Sequence, residues 1–177
     1  MSGSLLRPPP RRVTVQVDTR EKYPILFPAS LRVWRGDTAH VVEIDVERTC
    51  LATGDYRLKE APDVCIVERK GSPWELAKNL LDAKDHTRQM RAFGRLVEEC
   101  DHPYLLVEAT PGDFFNGSPP GVDPDNLLQR LFGLVGSLGR LSMLVVPKTN
   151  SSATRRSTGR LVANLLVSLA MREIEKE

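Results

Sequence analysis

Apolar residues in this chain gather first in short runs and later in stripes at helical spacing. The short runs predict strands over residues 13–17, 40–46, 51–58 and 63–69. The last of these carries β-branched Val64, Ile66 and Val67. Helices are expected over 73–82 and 86–100. Ser72-Pro73-Trp74-Glu75 fits a helix start, with Ser at the N-cap, Pro at N1 and Glu at N3. In the second helix Met90, Phe93, Val97 and Cys100 share one side, a core-facing stripe. Tyr104-Leu105-Leu106-Val107 is the near-continuous apolar run of a buried strand over 104–108. The Gly- and Pro-rich stretch 110–121 reads as a loop. Asp123-Pro124 opens a helix whose Leu127, Leu131, Leu134, Val135 and Leu138 recur at helical spacing. Residues 141–146 read as another buried strand, stopped by Pro147. The polar stretch 148–159 reads as a mobile loop. It leads into a last helix with Leu161, Val162, Leu165, Leu166 and Leu169 on one face.

Composition narrows the class without naming a function. A chain of 177 residues is one domain by the usual prior and can bury a substantial core. Hydrophobic content of 41% and charged content of 27% are ordinary for a globular protein. The net charge is only +2, so any contact with nucleic acid must come from a local patch. Cys50, Cys65 and Cys100 contain no CxxC pair, which argues against a zinc site, and Cys65 and Cys100 read as core thiols. An odd cysteine count without a secretory signal fits a reducing, intracellular setting: cytoplasm or nucleoid, or a nucleus. Residues 1–12, with Pro8-Pro9-Pro10 and three arginines, read as a flexible arm. No apolar stretch approaches the ~18 residues of a membrane span.

The chemistry concentrates between residues 54 and 70. Glu68 and Lys70 lie two apart on a predicted strand and so point the same way. A carboxylate there can hold a divalent ion while the ammonium meets the attacking water or a substrate phosphate. Asp55, on a neighbouring predicted strand, can supply a second ligand. Mg2+ takes one or two carboxylates and leaves positions open for water and phosphate. Taken alone, an Asp followed by Glu-x-Lys also describes a solvated strand end. Val17-Asp18-Thr19-Arg20-Glu21 sharpens the picture, because it places Asp18 and Glu21 at the end of the first strand.

Val17-Asp18-Thr19-Arg20-Glu21, Gly54-Asp55-Tyr56 and Val67-Glu68-Arg69-Lys70, in that order and spacing, resemble the nuclease domain of the XPF family of structure-specific endonucleases. The resemblance covers roughly residues 13–170. It implies the PD-(D/E)XK fold: α/β, restriction-endonuclease-like, a mixed central sheet flanked by helices over 13–177. It implies a metal-dependent endonuclease for branched, flap or fork DNA, using Mg2+ or Mn2+. Asp55 and Glu68, with Asp18, would bind the metal. Lys70 would orient or activate the water, and Asp18 and Glu21 would complete the acidic site. Arg69 would set the site geometry or touch phosphate, and Arg20 would touch DNA. Pairing of nuclease domains as a homodimer or heterodimer is also implied, with an apolar face from the last two helices. Two departures stand out. The family places an Asp four residues after the Lys, where this chain has Trp74 followed by Glu75, read here as a capping residue. No helix-hairpin-helix module is expected in this chain.

Two basic clusters lie outside these motifs. Lys84, Arg88, Arg91 and Arg95 stack on one side if their helix extends back to Lys84. Such a row is ordinarily a solvated face, and beside a nuclease strand it suits a phosphate track, with Gln89 next to it. Lys148, Arg155, Arg156 and Arg160 form the second cluster, suited to gripping a DNA arm or to a plain surface loop. His40, His86 and His102 show no metal spacing, and His102-Pro103 reads as a turn. Trp34 and Trp74 read as packing residues, with base stacking open to Trp74 beside the site. Trp74 also leaves open an alternative function, a catalytically degenerate nuclease-fold subunit that binds DNA and works with an active partner.

Overall fold

The computed structural model describes residues 9–116, 120–148 and 150–174, apart from the side chains of residues 83, 84 and 174. Most of the expected flexible arm, residues 1–8, lies outside this set, as does the Lys84 side chain. The described elements are β1 (Arg12–Asp18), β2 (Ser30–Arg35), β3 (Thr38–Thr49), β4 (Tyr56–Leu58), β5 (Cys65–Lys70), α1 (Pro73–Leu81) and α2 (Ala83–Glu99). They continue with β6 (His102–Glu108), α3 (Pro111–Asn116), α4 (Pro124–Ser137), β7 (Ser142–Val146) and α5 (Ser152–Ile174). The strands make one mixed sheet in the order β2-β3-β1-β4-β5-β6-β7. β1 runs parallel to β3 and antiparallel to β4, while β5, β6 and β7 are mutually parallel neighbours.

Side-chain alternation explains how helices cover both faces. On β1, Val13, Val15 and Val17 are buried on one face, against Val162, Leu166 and Val167 of α5. β5 and β6 send residues to both layers. Val67 and Leu106 join the α5 side, while Ile66, Leu105 and Val107 meet α1, α2 and α4 on the other. Strands buried on both faces need continuous apolar runs, which Cys65–Val67 and Tyr104–Val107 supply. The mixed sheet is thus flanked by helices, as the family resemblance implies.

Several boundaries differ from the expected ones, each for a local reason. β2, which the short apolar runs do not predict, pairs with β3 across a turn at Gly36, whose φ is +54°. The strand expected over 51–58 shrinks to Tyr56–Leu58, since Gly54 sits at φ +70°. The expected loop 110–121 contains α3, started by reciprocal bonds between Thr110 and Asp113. Likewise the expected mobile loop 148–159 is largely the first turns of α5, capped by Ser151 and Thr154. His102 and Pro103 lie in β6 and not in a turn. β7 is an edge strand with Val145 exposed, not a buried one. Trp34 and Trp74 do not pack, being 61% and 54% exposed. Ser72, Pro73 and Glu75 take the capping positions expected of them. Cys65 and Cys100 are buried thiols, and Cys50 is exposed.

The segment before β2 is pinned against α5. A Cβ on Gly159 would run into the backbone carbonyl of Leu26. Replacing a helical Gly by Ala ordinarily gains up to about 1 kcal/mol. Here the overpacking outweighs that gain, and Gly159→Ala is expected to destabilise the fold by about 1–3 kcal/mol. Urea denaturation measures it, and a variant more stable than the parent would refute the close contact.

Candidate active site

Asp55 sits in the seam between β1 and β5. Its amide donates to the Val67 carbonyl at 2.8 Å, and its carbonyl accepts from the Asp18 amide at 2.9 Å. Gly54 permits this approach, because any Cβ there would collide with the Ile66 side chain. The Asp55 carboxylate accepts from the Arg69 amide at 2.7 Å. Burial, and then the charge of Glu68, hold its carboxyl well above the usual carboxylate range. Two carboxylates placed so that one resists ionisation are poised for a cation.

Glu68 and Lys70 point to the same face of β5, as expected, and meet at 2.8 Å between Oε1 and Nζ. Lys70 is buried. Burial alone would lower its pKa, but the charge and hydrogen bond of Glu68, with help from Glu75, hold it above its ordinary value. Glu75 Oε1 stands 3.5 Å from Lys70 Nζ, and its Oε2 accepts from the Gly71 amide at 3.0 Å. It therefore serves the start of α1 and faces the lysine at once. Trp74 turns outward and contributes no oxygen.

Asp18 and Glu21 lie in other networks. The Asp18 carboxylate is fully buried and accepts four bonds: from Arg20 Nε at 2.8 Å, Arg20 Nη2 at 2.7 Å, the Arg20 amide at 2.6 Å and the Leu51 amide at 3.0 Å. Burial raises its carboxyl, but these bonds outweigh it and the pKa ends below its ordinary value. Glu21 accepts from Arg69 Nη1 at 2.5 Å and from the Tyr56 hydroxyl at 3.0 Å. Arg69 Nε reaches Glu108 at 2.6 Å. The structure thus adds Glu108 to the residues sequence reasoning named. Its signal was there, an acid ending the buried run of β6.

A cavity of about 310 Å3 opens beside Asp55 and Glu68. Arg20 and Thr53 line the near side; Arg88, Gln89, Ala92 and Arg95 of α2 line the far side. Only part of the predicted basic row reaches it. Arg91 is exposed but does not line the cavity. Arg88 also pairs with Asp85 at 2.9 Å. The hydroxyl of Thr53 is buried and has no hydrogen-bond partner. In the second cluster Arg155 donates to the Pro24 carbonyl through Nε at 3.0 Å, while Arg156 is exposed. Among the described residues no three of His, Cys, Asp and Glu are grouped to hold a metal ion. The paired oxygen donors of Asp55 and Glu68 nevertheless fit a hard cation that keeps most of its water.

No protein-family model matches the chain, and no curated protein matches it. Solved structures do. XPF from Aeropyrum pernix aligns over 89% of this chain and 68% of its own, at a TM-score of 0.53 and 21% identity. XPF from Aeropyrum pernix in complex with DNA aligns over 92% and 66%, at a TM-score of 0.58 and 22% identity. The fold is XPF-like. This chain spans about two thirds of the length of those chains. Among the described residues no helix is long and apolar enough to cross a membrane.

The Asp18 network generates a stability prediction. A depressed carboxyl stabilises the fold above its ordinary 3.8, and that contribution is lost as pH falls through the lower folded value. Asp18→Asn is expected to cost about 1.5 kcal/mol at neutral pH, the low end for a charged hydrogen bond because Arg20 is open to water. Urea unfolding from pH 7 down to pH 2 checks it. The parent and variant curves should converge below 3.8, and parallel curves would remove Asp18 from this role.

Proposed function

We propose that this chain is a metal-dependent endonuclease hydrolysing phosphodiester bonds in branched, flap or fork DNA. The observation that carries this reading is the Asp55–Glu68 pair, set in a cavity whose opposite wall bears arginines, with the buried Lys70 against Glu68. The XPF-like fold supports it, and one solved structure of that fold is a complex with DNA. Asp55 and Glu68 would hold Mg2+ or Mn2+, an ion that when bound polarises a phosphoryl oxygen and lowers the pKa of water. Lys70 keeps its proton beside Glu68 and Glu75, so it acts as a donor. It orients the attacking water and meets the charge that grows on the phosphoryl oxygens. Arg88 and Arg95 hold neighbouring phosphates without reading sequence. Asp18 contributes through Arg20, which it fixes at the cavity wall, and Glu21 contributes through Arg69. The exposed Phe115, Phe132 and Val145, beside an apolar cavity of about 260 Å3, suit pairing of two such domains. This surface draws on α4, one of the last two helices, together with α3 and β7.

A second reading, a DNA-binding subunit with a degenerate nuclease fold, draws on one observation. Trp74 stands where the family has an acid, and the described residues offer two grouped carboxylates, not three. Cleavage of labelled flap, fork, single-stranded and duplex DNA under Mg2+ or Mn2+ separates the two. Cutting of branched DNA is expected, with Lys70→Ala slower by roughly 10²–10³-fold. Asp55→Asn and Glu68→Gln should abolish both cutting and Mn2+ binding. Tight binding without cutting under either ion would establish the degenerate subunit, and absence of both would overturn the two readings together.

The cavity geometry also sorts the arginines of α2. Arg88→Ala and Arg95→Ala are each expected to lower the salt dependence of DNA binding by about one unit of slope. Arg91→Ala, off the cavity, should change it less. Anisotropy titrations across a salt series measure this, and equal slopes for all three would remove the cavity as the phosphate track.

A further inference from the structure

Between β1 and β2 the chain runs as a strap over residues 19–29, and arginines from three distant elements hold its carbonyls. Arg48 Nη2 donates to the carbonyls of Thr19 at 3.0 Å and Glu21 at 2.8 Å. Arg69 Nη1 reaches the Tyr23 carbonyl at 3.2 Å, and Arg155 Nε reaches that of Pro24 at 3.0 Å. The Ile25 amide donates to the Tyr56 hydroxyl at 3.2 Å, and the Leu26 amide to the Arg155 carbonyl at 3.2 Å. A segment fixed at so many points is no ordinary surface loop. Yet it carries Tyr23, whose side chain is the most exposed of the large apolar residues described, at 74%.

The ring stands at a cavity of about 600 Å3, separate from the one lined by Asp55 but sharing Arg20 with it. That volume falls within the ~300–1,000 Å3 of ligand sites. The cavity's acids are engaged within its wall: Glu21 and Glu108 both bond Arg69, and Glu75 stands 3.5 Å from Lys70. The cavity also places Tyr23 with Arg20, Lys22 and Arg155, of which Arg20 is paired with Asp18. An aromatic face beside cations suits a base and its phosphate, and fixing the backbone beforehand reduces the ordering cost of binding. In a duplex the base faces are already occupied by their neighbours, so the matching ligand is a single strand.

We propose that Tyr23 is a stacking platform for one nucleobase of a single-stranded DNA segment next to the Asp55–Glu68 site. The proposal deepens the nuclease reading and rests on it for the identity of the ligand. Binding is measured in the full chain carrying Lys70→Ala, which separates binding from cutting, with Mg2+ present. The probes are a fork with a single-stranded arm containing 2-aminopurine at successive positions, and a blunt duplex of the same length. Adding Tyr23→Ala should weaken fork binding about 5- to 150-fold, the range for loss of one stacked base. Blunt duplex binding should not change, and Tyr23→Phe should bind the fork like the parent. One 2-aminopurine position should be quenched on binding, and that quenching should vanish with Tyr23→Ala. Unchanged fork affinity in Tyr23→Ala, or equal losses on fork and duplex, would overturn the platform and leave the nuclease reading standing. If the Lys70→Ala protein binds neither DNA, and the parent neither binds nor cuts, both fall together.

Discussion

The site depends on one residue placed between two others. Arg69 lies between Glu68 and Lys70 on β5, so its side chain points to the opposite face of the sheet. There the guanidinium is gripped by Glu21 and Glu108, and its own amide holds the Asp55 carboxylate. The strand therefore has a chemical face and a structural face, and a single residue joins them. Desolvating a guanidinium and two carboxylates is costly, and hydrogen bonds on every side offset that cost. Removing the arginine would take a charged partner from both Glu21 and the buried Glu108. The strap before β2 would lose a carbonyl anchor at the same time.

Electrostatics in this protein are local. A net charge of +2 says little, because the charges are sorted by position. Asp55 and Glu68 gather at the seam of β1, β4 and β5, and arginines face them from α2 across a small cavity. Asp18 and Arg20 neutralise one another at its wall. At Asp55 burial and the charge of Glu68 act together against ionisation. A cation would relieve both effects, which supports this pair in the proposed ligand set.

Much of this was legible in the sequence, and what was not has a common cause. Glu68 and Lys70 could be paired because a two-residue period needs no tertiary knowledge. Asp55 could be named because it fell on a neighbouring predicted strand, although that strand begins only at Tyr56. The starts of α1 and α4 were written in Ser72-Pro73 and Asp123-Pro124. The partners of Asp18 were not legible, since Leu51 meets it only through the parallel register of β1 and β3. Nor was the split among the arginines of α2, because helical spacing groups Arg88, Arg91 and Arg95 while the cavity takes only the first and last. The starts of α3 and α5 were hidden by their own caps, whose Thr, Ser and Gly resemble loop composition. Trp34 and Trp74 were expected inside, and nothing local shows that they face water.

The strand order sets how the candidate site can come into being. β5, β6 and β7 lie side by side in chain order, so that half can collapse around α1, α2 and α4 from near neighbours. β1 instead must slot between β3 and β4, and it brings the amide that fixes Asp55 and the strap that carries Glu21. Such non-local pairings are slow steps in folding. The acidic pair therefore acquires its final geometry only when the two halves of the sheet close on each other. A half-assembled chain, on the ribosome or after local opening, would carry the residues of the site without their arrangement. Topology thus ties the arrangement of these residues to completion of the whole sheet.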